Sequence, residues 1–336
     1  MFILFSLAIL TALTALYYYR NEPVNFTSYD CKEHAYNIYP NTTMDSLSKI
    51  LSRNYKVFTL SSWKYRCKKR NLVALKPGHY IFPSKIGNRR LINLLISNNQ
   101  APVKLTFTNS IRTQNHLAHV LSKQLLLDSV TIVRALSDSS FMANYQLTPS
   151  TAICMFMPDT YFVYWTISLK DLFNKMFEQY NSFWNAERLH KASFLGLSPT
   201  QVITVASIVE CESNKIDEYG EIASLYINRL QRGMNLQACP TVIYANNDFT
   251  IRRVRKEHLQ TDSPYNTYLY RGLPPGPIKC PNASTIDIVL NAPKTNILYM
   301  CAKSDKSGYH HFSSTYKEHA NYAKTYHRML NSSNIP

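Results

Sequence analysis

Residues 198–214 read SPTQVITVASIVECESN, and this stretch sets the helix on which the candidate site depends. Ser198 followed by Gln201 is a capping-box pattern, in which each side chain satisfies a backbone N–H of the other residue. Pro199 stands at the first helical position, where its missing N–H costs nothing. The pattern therefore predicts a helix that begins at Pro199 and runs towards two closely spaced glutamates.

Glu212, the second of these glutamates, continues an apolar stripe of the helix. It lies seven, four and three residues after Val205, Ile208 and Val209. A carboxyl group at the end of an apolar face is partly desolvated, which raises its pKa and lets it act as a general acid near neutral pH. An ordinary carboxylate at a helix end is the alternative, and the pattern alone leaves both open. Glu210 is expected to face another side of the helix.

Composition bounds the class of protein. The chain has 336 residues, of which 45 % are hydrophobic and 17 % charged, so it suits two modest domains and excludes a disordered or polytopic membrane protein. Lys and Arg number 37 against 21 Asp and Glu, and the net charge of +16 requires an anionic partner or surface. The basic clusters at 53–70 and 252–256 lie on no recognisable nucleic-acid motif, so we expect no nucleic-acid partner.

The cysteines and histidines do not predict a metal or cofactor. Seven cysteines stand far apart without a CxxC pair, which argues against a zinc ribbon and favours buried or idle thiols, with disulfides as the alternative. His310, His311, His319 and His327 gather near the C-terminus, but their ring of partners is incomplete, and the last two fall on a helix predicted over 316–330 after Thr315. We expect no metal and no cofactor.

The N-terminal run MFILFSLAILTALTALYYY, Met1 to Tyr19, carries no charge. As a helix it would be about 28 Å long, close to the apolar thickness of a bilayer, and its three final tyrosines suit the membrane interface. A cleaved signal peptide is the alternative, but the run lacks a basic start and no clear small-residue cleavage site follows. We expect a single-pass transmembrane anchor with the rest of the chain on the far side.

The remaining chain is expected to be α+β and to comprise three parts. These are a polar spacer over residues 20–40, a small α+β domain over 41–103 and a mainly helical α+β domain over 104–331. In the small domain, local patterns predict a helix after Thr43, strands over 72–75, 79–82 and 103–107, and a helix over 89–96.

In the large domain, periodicity predicts a helix over 115–127 and another over 218–232, which Gly233 would close. The segment SPYNTYLYRGLPPGPI at 263–278 is expected to be a loop. Its tyrosine rings and asparagine amides fit a sugar-binding cleft, and a rigid surface loop is the alternative.

The segment from Ala206 to Tyr244, ASIVECESNKIDEYGEIASLYINRLQRGMNLQACPTVIY, resembles the YceG-like (MltG-type) endolytic murein transglycosylases. The loop at 263–278, MPDTY at 157–161 and SGYHHF at 307–312 resemble further segments of that family in the same order. PVKLTF at 102–107 and the N-terminal anchor also fit, so the resemblance covers nearly the whole chain. It implies that the small domain is LysM-like and membrane-proximal.

The resemblance also implies roles for single residues. In the wider group of lytic transglycosylases and goose-type lysozymes the catalytic acid precedes Ser or Thr at a helix end, as Glu212 precedes Ser213. Where the family usually has Asp before Pro, this chain has Cys239, which removes an acid near the site. The implied candidates for substrate binding are Glu210, Ser213, Asn228, Gln237, Tyr265, Asn266, Thr267 and Tyr268.

The function implied is endolytic cleavage of MurNAc–GlcNAc bonds in nascent peptidoglycan, leaving 1,6-anhydro-MurNAc ends and ending glycan elongation near the peptidoglycan synthases. The expected place is the outer face of the cytoplasmic membrane, where basic residues meet stem-peptide carboxylates and anionic headgroups. One carboxyl can suffice, because the sugar's own 6-hydroxyl attacks and replaces the water that ordinary glycosidases position. A catalytically weak or inactive glycan-binding scaffold of the same fold is the alternative, and an anchored nucleic-acid binder is a third hypothesis.

Overall fold

The structure, a computed structural model, describes residues 10–14, 23–70, 72 and 75–332. The fold is α+β, as expected, with several small sheets among many helices. Two compact units divide it: the first comprises the chain up to Leu105 with residues 124–126 and 161–167, and the second comprises the rest. Residues 10–14 are helical (α1).

The first unit is built from short strands and three amphipathic helices. Thr43 caps the first of these helices by accepting a hydrogen bond from the Ser46 backbone N–H, as its position before the helix predicts. Trp63 lies at the centre of the core, edge-on to the Phe26 ring at 5.2 Å. The elements are β1 Val24–Ser28, β2 His34–Ile38, α2 Met44–Asn54, β3 Tyr55–Val57, α3 Leu60–Lys69, β4 Gly78–Phe82, β5 Lys85–Gly87 and α4 Asn88–Ile96.

The expected spacer over 20–40 is wrong for its described residues, because β1 and β2 lie within it. β1 is the central strand between β3 and β5, and it is antiparallel to both. β2 pairs with β4, antiparallel, from His34 opposite Phe82 to Ile38 opposite Gly78. These partners lie about 30 to 60 residues further along the chain, so local composition does not reveal the pairing.

The later part of the chain is mainly helical. Two antiparallel strands, β8 and β9, form a hairpin near its end, and β6 pairs with β7. Short 3₁₀ segments at Pro149–Met155, Ile216–Glu218 and His258–Gln260 connect the helices. The elements are β6 Pro102–Phe107, α5 Gln114–Gln124, α6 Ser129–Ser137, α7 Ser139–Ala143, β7 Asp159–Tyr164, α8 Leu169–Phe183, α9 Ala186–Phe194, α10 Pro199–Glu212, α11 Tyr219–Gln231, α12 Cys239–Ala245, α13 Ala283–Leu290, β8 Tyr299–Ala302, β9 His310–Ser313 and α14 Tyr316–Ser332.

Helix α10 packs against four other helices of the second unit, α9, α11, α12 and α13. Its capping box is formed as predicted: the Ser198 hydroxyl accepts from the Gln201 N–H, and the Gln201 side chain accepts from the Ser198 N–H. Every residue from Val202 to Glu210 is buried, so the helix has no solvent-facing side over that length. The predicted apolar stripe of Val205, Ile208 and Val209 is thus buried. Because the other faces of α10 are buried as well, burial does not distinguish the stripe from them.

Most other predicted elements agree with the structure. Helix α11 ends before Gly233, which has the positive φ of +63° that closes a helix. Thr315 precedes α14, and its hydroxyl accepts from the Glu318 N–H. The segment 263–278 contains neither helix nor strand. The strand predicted over 72–75 falls partly outside the described residues, since 73 and 74 are not among them.

The membrane anchor predicted over Met1–Tyr19 lies largely outside the described residues, which include only 10–14 of it. Among the helices that are described, none is by itself long and apolar enough to cross a membrane. The bent pair α9 and α10, which meet at 76°, meets the length and composition test only when its two helices are counted together.

Gly276 is required by a close approach of two backbone segments. A Cβ atom at this position would lie 1.9 Å from the backbone oxygen of Ser150, far inside contact distance. Gly272, in the same loop, has open space around the position of a Cβ but a φ of +83°. The two glycines therefore serve different purposes, one steric and the other conformational.

We predict that Gly276→Ala destabilises the protein by more than about 2 kcal/mol, since the loop or the 3₁₀ segment must move to relieve the overlap. Gly272→Ala is the comparison and should cost about 1 kcal/mol, because its only penalty is the left-handed φ. Chemical denaturation of both variants measures the difference. Equal or reversed losses would show that the contact with Ser150 does not constrain the loop.

Candidate active site

Glu210 is 9 % exposed and its carboxylate is fully engaged within the protein. The Asn282 backbone N–H donates to Oε2 at 2.9 Å, and the Asn282 amide donates to Oε1 at 2.6 Å. The Asn109 amide also donates to Oε1, and Lys279 Nζ lies 3.5 Å from the same oxygen. These contacts hold the segments around residues 109 and 279–282 against α10, so Glu210 acts as a structural link.

Glu212, the last residue of α10, has a different environment. Its half-buried carboxyl lines a cavity, and Tyr226 on α11 donates its hydroxyl to Oε1 at 2.5 Å. Burial raises the pKa of Glu212 from its ordinary 4.5 to about 7, while the Tyr226 hydrogen bond and the charge of Arg229 act in the opposite direction. The carboxyl is therefore poised to hold or release a proton near neutral pH.

The Glu212 cavity has a volume of about 280 Å³ and is formed by parts of the chain distant in sequence. Helix α10 contributes Glu212, and α11 contributes Tyr226 and Arg229. The β8–β9 hairpin contributes residues of both its strands, among them Cys301 and His310. The complete lining is Glu212, Leu225, Tyr226, Arg229, Leu236, Gln237, Cys239, Tyr268, Met300, Cys301, Ala302, His310 and His319.

Arg229 holds the walls of this cavity together. It is 7 % exposed, and its guanidinium donates to the carbonyl oxygens of Leu298 at 2.6 Å and Leu236 at 2.8 Å. Burial lowers the pKa of Arg229. A buried cation beside Glu212 favours the ionised carboxyl, so it limits how far burial can raise the pKa of that group.

Two of the predicted substrate-binding residues, Gln237 and Tyr268, line the Glu212 cavity. Gln237 is exposed with a φ of +51°, and its backbone N–H donates to the Thr267 carbonyl at 3.1 Å. The Tyr268 hydroxyl lies 3.4 Å from Cys239 Sγ. The cysteine found in place of the family's aspartate thus belongs to the cavity wall, and burial raises the pKa of its thiol.

The side chains of four other predicted substrate-binding residues form hydrogen bonds within the fold. The amide of Asn228 donates to the carbonyls of Thr295 and Ile297. Asn266 and Thr267 are fully buried and brace their loop. The Asn266 amide donates to the carbonyls of Leu259 and Thr261. The Thr267 hydroxyl accepts the Ala238 N–H. Ser213 contacts Glu218 at 3.3 Å. As contacts to a substrate these four residues stay predictions.

Tyr265, also predicted to bind substrate, lines a second cavity and not the one with Glu212. There its ring lies 4.6 Å from that of Tyr244, at the other end of α12 from Cys239. Gln114 and Ser150 line the same space. Of the predicted substrate-binding residues, two therefore line the cavity of Glu212, Tyr265 lines another, and the remaining five line neither.

Tyr226 and Arg229 were not predicted as site residues, and His310 and His319 were not connected with Glu212. Tyr226 and Arg229 lie fourteen and seventeen residues beyond Glu212, within the helix predicted over 218–232. The two histidines come from the hairpin and α14, about a hundred residues further on. In the described part of the chain, no group of three or more His, Cys, Asp or Glu is arranged to hold a metal ion.

Comparisons with known proteins agree with this architecture. Residues 36–325 match the YceG-like family. Two relatives are named endolytic murein transglycosylase: one from Bacillus subtilis (strain 168) is 38 % identical over 152 residues, and one from Streptococcus pneumoniae serotype 2 (strain D39) is 36 % identical over 110 residues. These alignments cover 45 % and 32 % of this chain but only 41 % and 20 % of the relatives.

A solved structure of a yceG-like protein from Listeria monocytogenes is also similar, with a TM-score of 0.55 and 25 % sequence identity. The match covers 86 % of this chain and 99 % of that one. The likeness therefore extends well beyond the segment around Glu212.

The raised pKa of Glu212 predicts how stability depends on pH. Below pH 4.5 the folded and unfolded states both hold the proton, whereas between pH 4.5 and about 7 the unfolded state releases it first, so stability falls as pH rises. We expect Glu212→Gln, which keeps an acceptor for Tyr226, to remove this dependence and to be more stable than the natural chain by about 1–3 kcal/mol at pH 8.

Glu210→Gln provides the contrast. An amide there must turn a donor towards Asn109, Asn282 or Lys279, so this variant should lose about 2–4 kcal/mol across the same pH range. Urea unfolding of the three proteins between pH 4 and pH 8 measures both effects. Parallel pH curves for the natural chain and Glu212→Gln would contradict the assignment.

Proposed function

Because the chain belongs to the YceG-like family, we propose that it is an endolytic lytic transglycosylase of peptidoglycan. The observation that carries the proposal is Glu212, a carboxyl with a pKa of about 7 at the edge of a cavity, beside a glutamate that is engaged within the fold. The two relatives named endolytic murein transglycosylase support the same class of substrate and reaction.

A carboxyl group of this kind can carry out both proton transfers. In its protonated form Glu212 donates to the oxygen that bridges MurNAc and GlcNAc, and the bond from that oxygen to the anomeric carbon breaks. The resulting carboxylate takes the proton of the MurNAc 6-hydroxyl, whose oxygen attacks the same anomeric carbon. A 1,6-anhydro bond forms, Glu212 regains its proton, and no water is consumed.

Tyr226 and Arg229 match Glu212 to both steps. Burial alone would hold the carboxyl protonated and make it a poor base in the second step. The hydrogen bond from Tyr226 and the charge of Arg229 stabilise the carboxylate, so the pKa stays near 7 and both forms are accessible. Because Gln237 and Tyr268 line the same cavity, we assign to them contacts with the sugar.

The finer parts of the proposal concern the cellular setting. We place the protein at the cytoplasmic membrane, held by a helix over Met1–Tyr19, with its catalytic domain (104–331) on the outer face near the peptidoglycan synthases. The small α+β domain (41–103) would be a LysM-like glycan-binding module close to the membrane. The net charge of +16 suits a surface of anionic headgroups and stem-peptide carboxylates.

We predict that the natural chain releases muropeptides with 1,6-anhydro-MurNAc ends, which are one water lighter than hydrolysis products. Glu212→Gln should lower turnover by at least about 10²-fold, because the isosteric amide cannot donate the proton. Mass spectrometry of digested peptidoglycan and a thermal melt of each protein provide the two measurements. Glu178→Gln, an exposed glutamate on α8, is the matched control and should leave turnover unchanged.

Three outcomes separate the hypotheses. Anhydro products that disappear in Glu212→Gln support the transglycosylase. Reducing ends from the natural chain would make it a hydrolase. Glycan binding without any product would favour the inactive scaffold. Cys239, which stands where the family usually has Asp, is the sequence feature that favours that alternative.

The proposed anchor generates a separate prediction. The full-length protein should fractionate with membranes and resist extraction by high salt, because an apolar span is held by burial rather than by charge. A chain that begins at Asn21 should remain in the soluble fraction. Full-length protein that salt extracts would show that the run is cleaved or only peripheral.

A further inference from the structure

Glu218 forms a buried pair with His310 at the wall of the Glu212 cavity. Its side chain is 8 % exposed and that of His310 is 14 % exposed. Glu218 Oε1 accepts the backbone N–H of His310 at 2.6 Å, and Oε2 lies 2.9 Å from the ring atom Nδ1. Two contacts from one carboxylate fix the position of the strand and the rotation of the ring together.

The other ring nitrogen of His310, Nε2, is the one that the contacts with Glu218 do not use. Within the described residues Nε2 has no hydrogen-bond partner, and His310 lines the cavity that also holds Glu212. With the ring neutral, the carboxylate of Glu218 keeps the proton on Nδ1, because an ionised carboxylate can only accept. Nε2 then presents a lone pair that is a hydrogen-bond acceptor.

The pair is also linked to the helix that carries Glu212. Ser213, the residue after Glu212, donates its hydroxyl to Glu218 Oε2 at 3.3 Å and accepts the Lys215 N–H. The Tyr219 hydroxyl donates to the Ser213 carbonyl at 3.1 Å. His310 and Glu212 are therefore held in a defined relation through neighbouring residues of one short turn.

We propose that His310 Nε2 accepts a hydrogen bond from an amide N–H of the substrate, and that Glu218 is the positioning residue that fixes the required tautomer. The inference rests on the proposed function, since it assigns a contact to the same N-acetylated glycan. Sugar hydroxyls rotate to donate or accept, whereas an acetamido N–H can only donate. Both groups can therefore donate to the fixed lone pair, but only the bond to an acetamido or peptide N–H is lost when Nε2 carries the proton.

His310→Asn isolates the contribution of Nε2. The asparagine amide nitrogen can take the place of Nδ1 and keep the bond to Glu218, while nothing replaces Nε2. We expect kcat/KM on un-cross-linked peptidoglycan strands to fall by about tenfold with little change in melting temperature, as for the loss of one hydrogen bond to the substrate.

His311→Asn is the matched control. His311 is the next residue of β9, and its ring stacks on Tyr322 at 4.2 Å, away from the cavity. The same substitution there should leave kcat/KM unchanged. Equal losses in both variants, or none in His310→Asn, would overturn the proposal.

Glu218→Gln tests the tautomer. The backbone N–H of His310 requires the amide oxygen of the glutamine, so the amide NH₂ must face Nδ1, and the ring proton moves to Nε2. Nε2 then carries a proton and faces the N–H of the substrate, so two donors oppose each other. We expect kcat/KM to fall at least as far as in His310→Asn. If the substrate partner is a hydroxyl, Glu218→Gln will leave kcat/KM unchanged and the proposal is wrong.

Nitrogen NMR of the His310 ring at about pH 8 reads the tautomer without any activity. The natural chain should show the proton on Nδ1, and Glu218→Gln should show it on Nε2; a proton on Nε2 in the natural chain would refute the role of Glu218. This readout also separates the two proposals. If the natural chain forms no anhydro product, the proposed function fails, whereas anhydro product with an unaffected His310→Asn refutes only this inference.

Discussion

The buried carboxylate of Glu210 fixes the end of α10, and the position of Glu212 follows from it. Four donors from three residues elsewhere in the second unit, Asn109, Asn282 and Lys279, meet at that carboxylate. Buried polar groups need such partners, and removing the Glu210 carboxylate would leave all of these donors unpaired. Residues two apart on a helix lie on different faces. Because Glu210 points into the protein, Glu212 at the end of α10 lies at the edge of a cavity instead.

The two glutamates show how position decides the chemistry of identical side chains. Glu210 is surrounded by hydrogen-bond donors, which hold its carboxylate within the fold. Glu212 has one hydroxyl and one nearby cation, and burial raises its pKa to about 7. Glycan-cleaving sites exploit different environments of two carboxyl groups that both take part in the reaction. In this protein Glu210 supports the fold instead.

Local sequence signals predicted the helices well and the walls of the cavity poorly. The capping box at Ser198, the end of α11 before Gly233 and the caps at Thr43 and Thr315 depend on residues within a few positions, so they could be read directly. The choice of Glu212 rested on an apolar stripe and on the resemblance of Glu212-Ser213 to a helix-end motif. Since α10 is buried on every side from Val202 to Glu210, the stripe does not single out Glu212, and its place at the end of the helix does.

The rest depends on contacts between distant segments. The strands β1 and β2 were hidden in a polar stretch because their partners lie far along the chain. His310 reaches the cavity through Glu218, 92 residues earlier, and no periodicity connects the two. Asn266 and Thr267 were candidates through the family resemblance, but in the structure their side chains form hydrogen bonds that brace a loop, as buried polar groups do.

The most direct measurement of the central claim is a carbon NMR titration of the Glu212 side-chain carboxyl, assigned by its absence in Glu212→Gln. A midpoint near pH 7 would show that the group remains protonated where an ordinary glutamate is ionised, as a general acid at this position requires. A midpoint near 4.5 would show that the cavity does not perturb Glu212, and the account of the site built on this carboxyl would be contradicted.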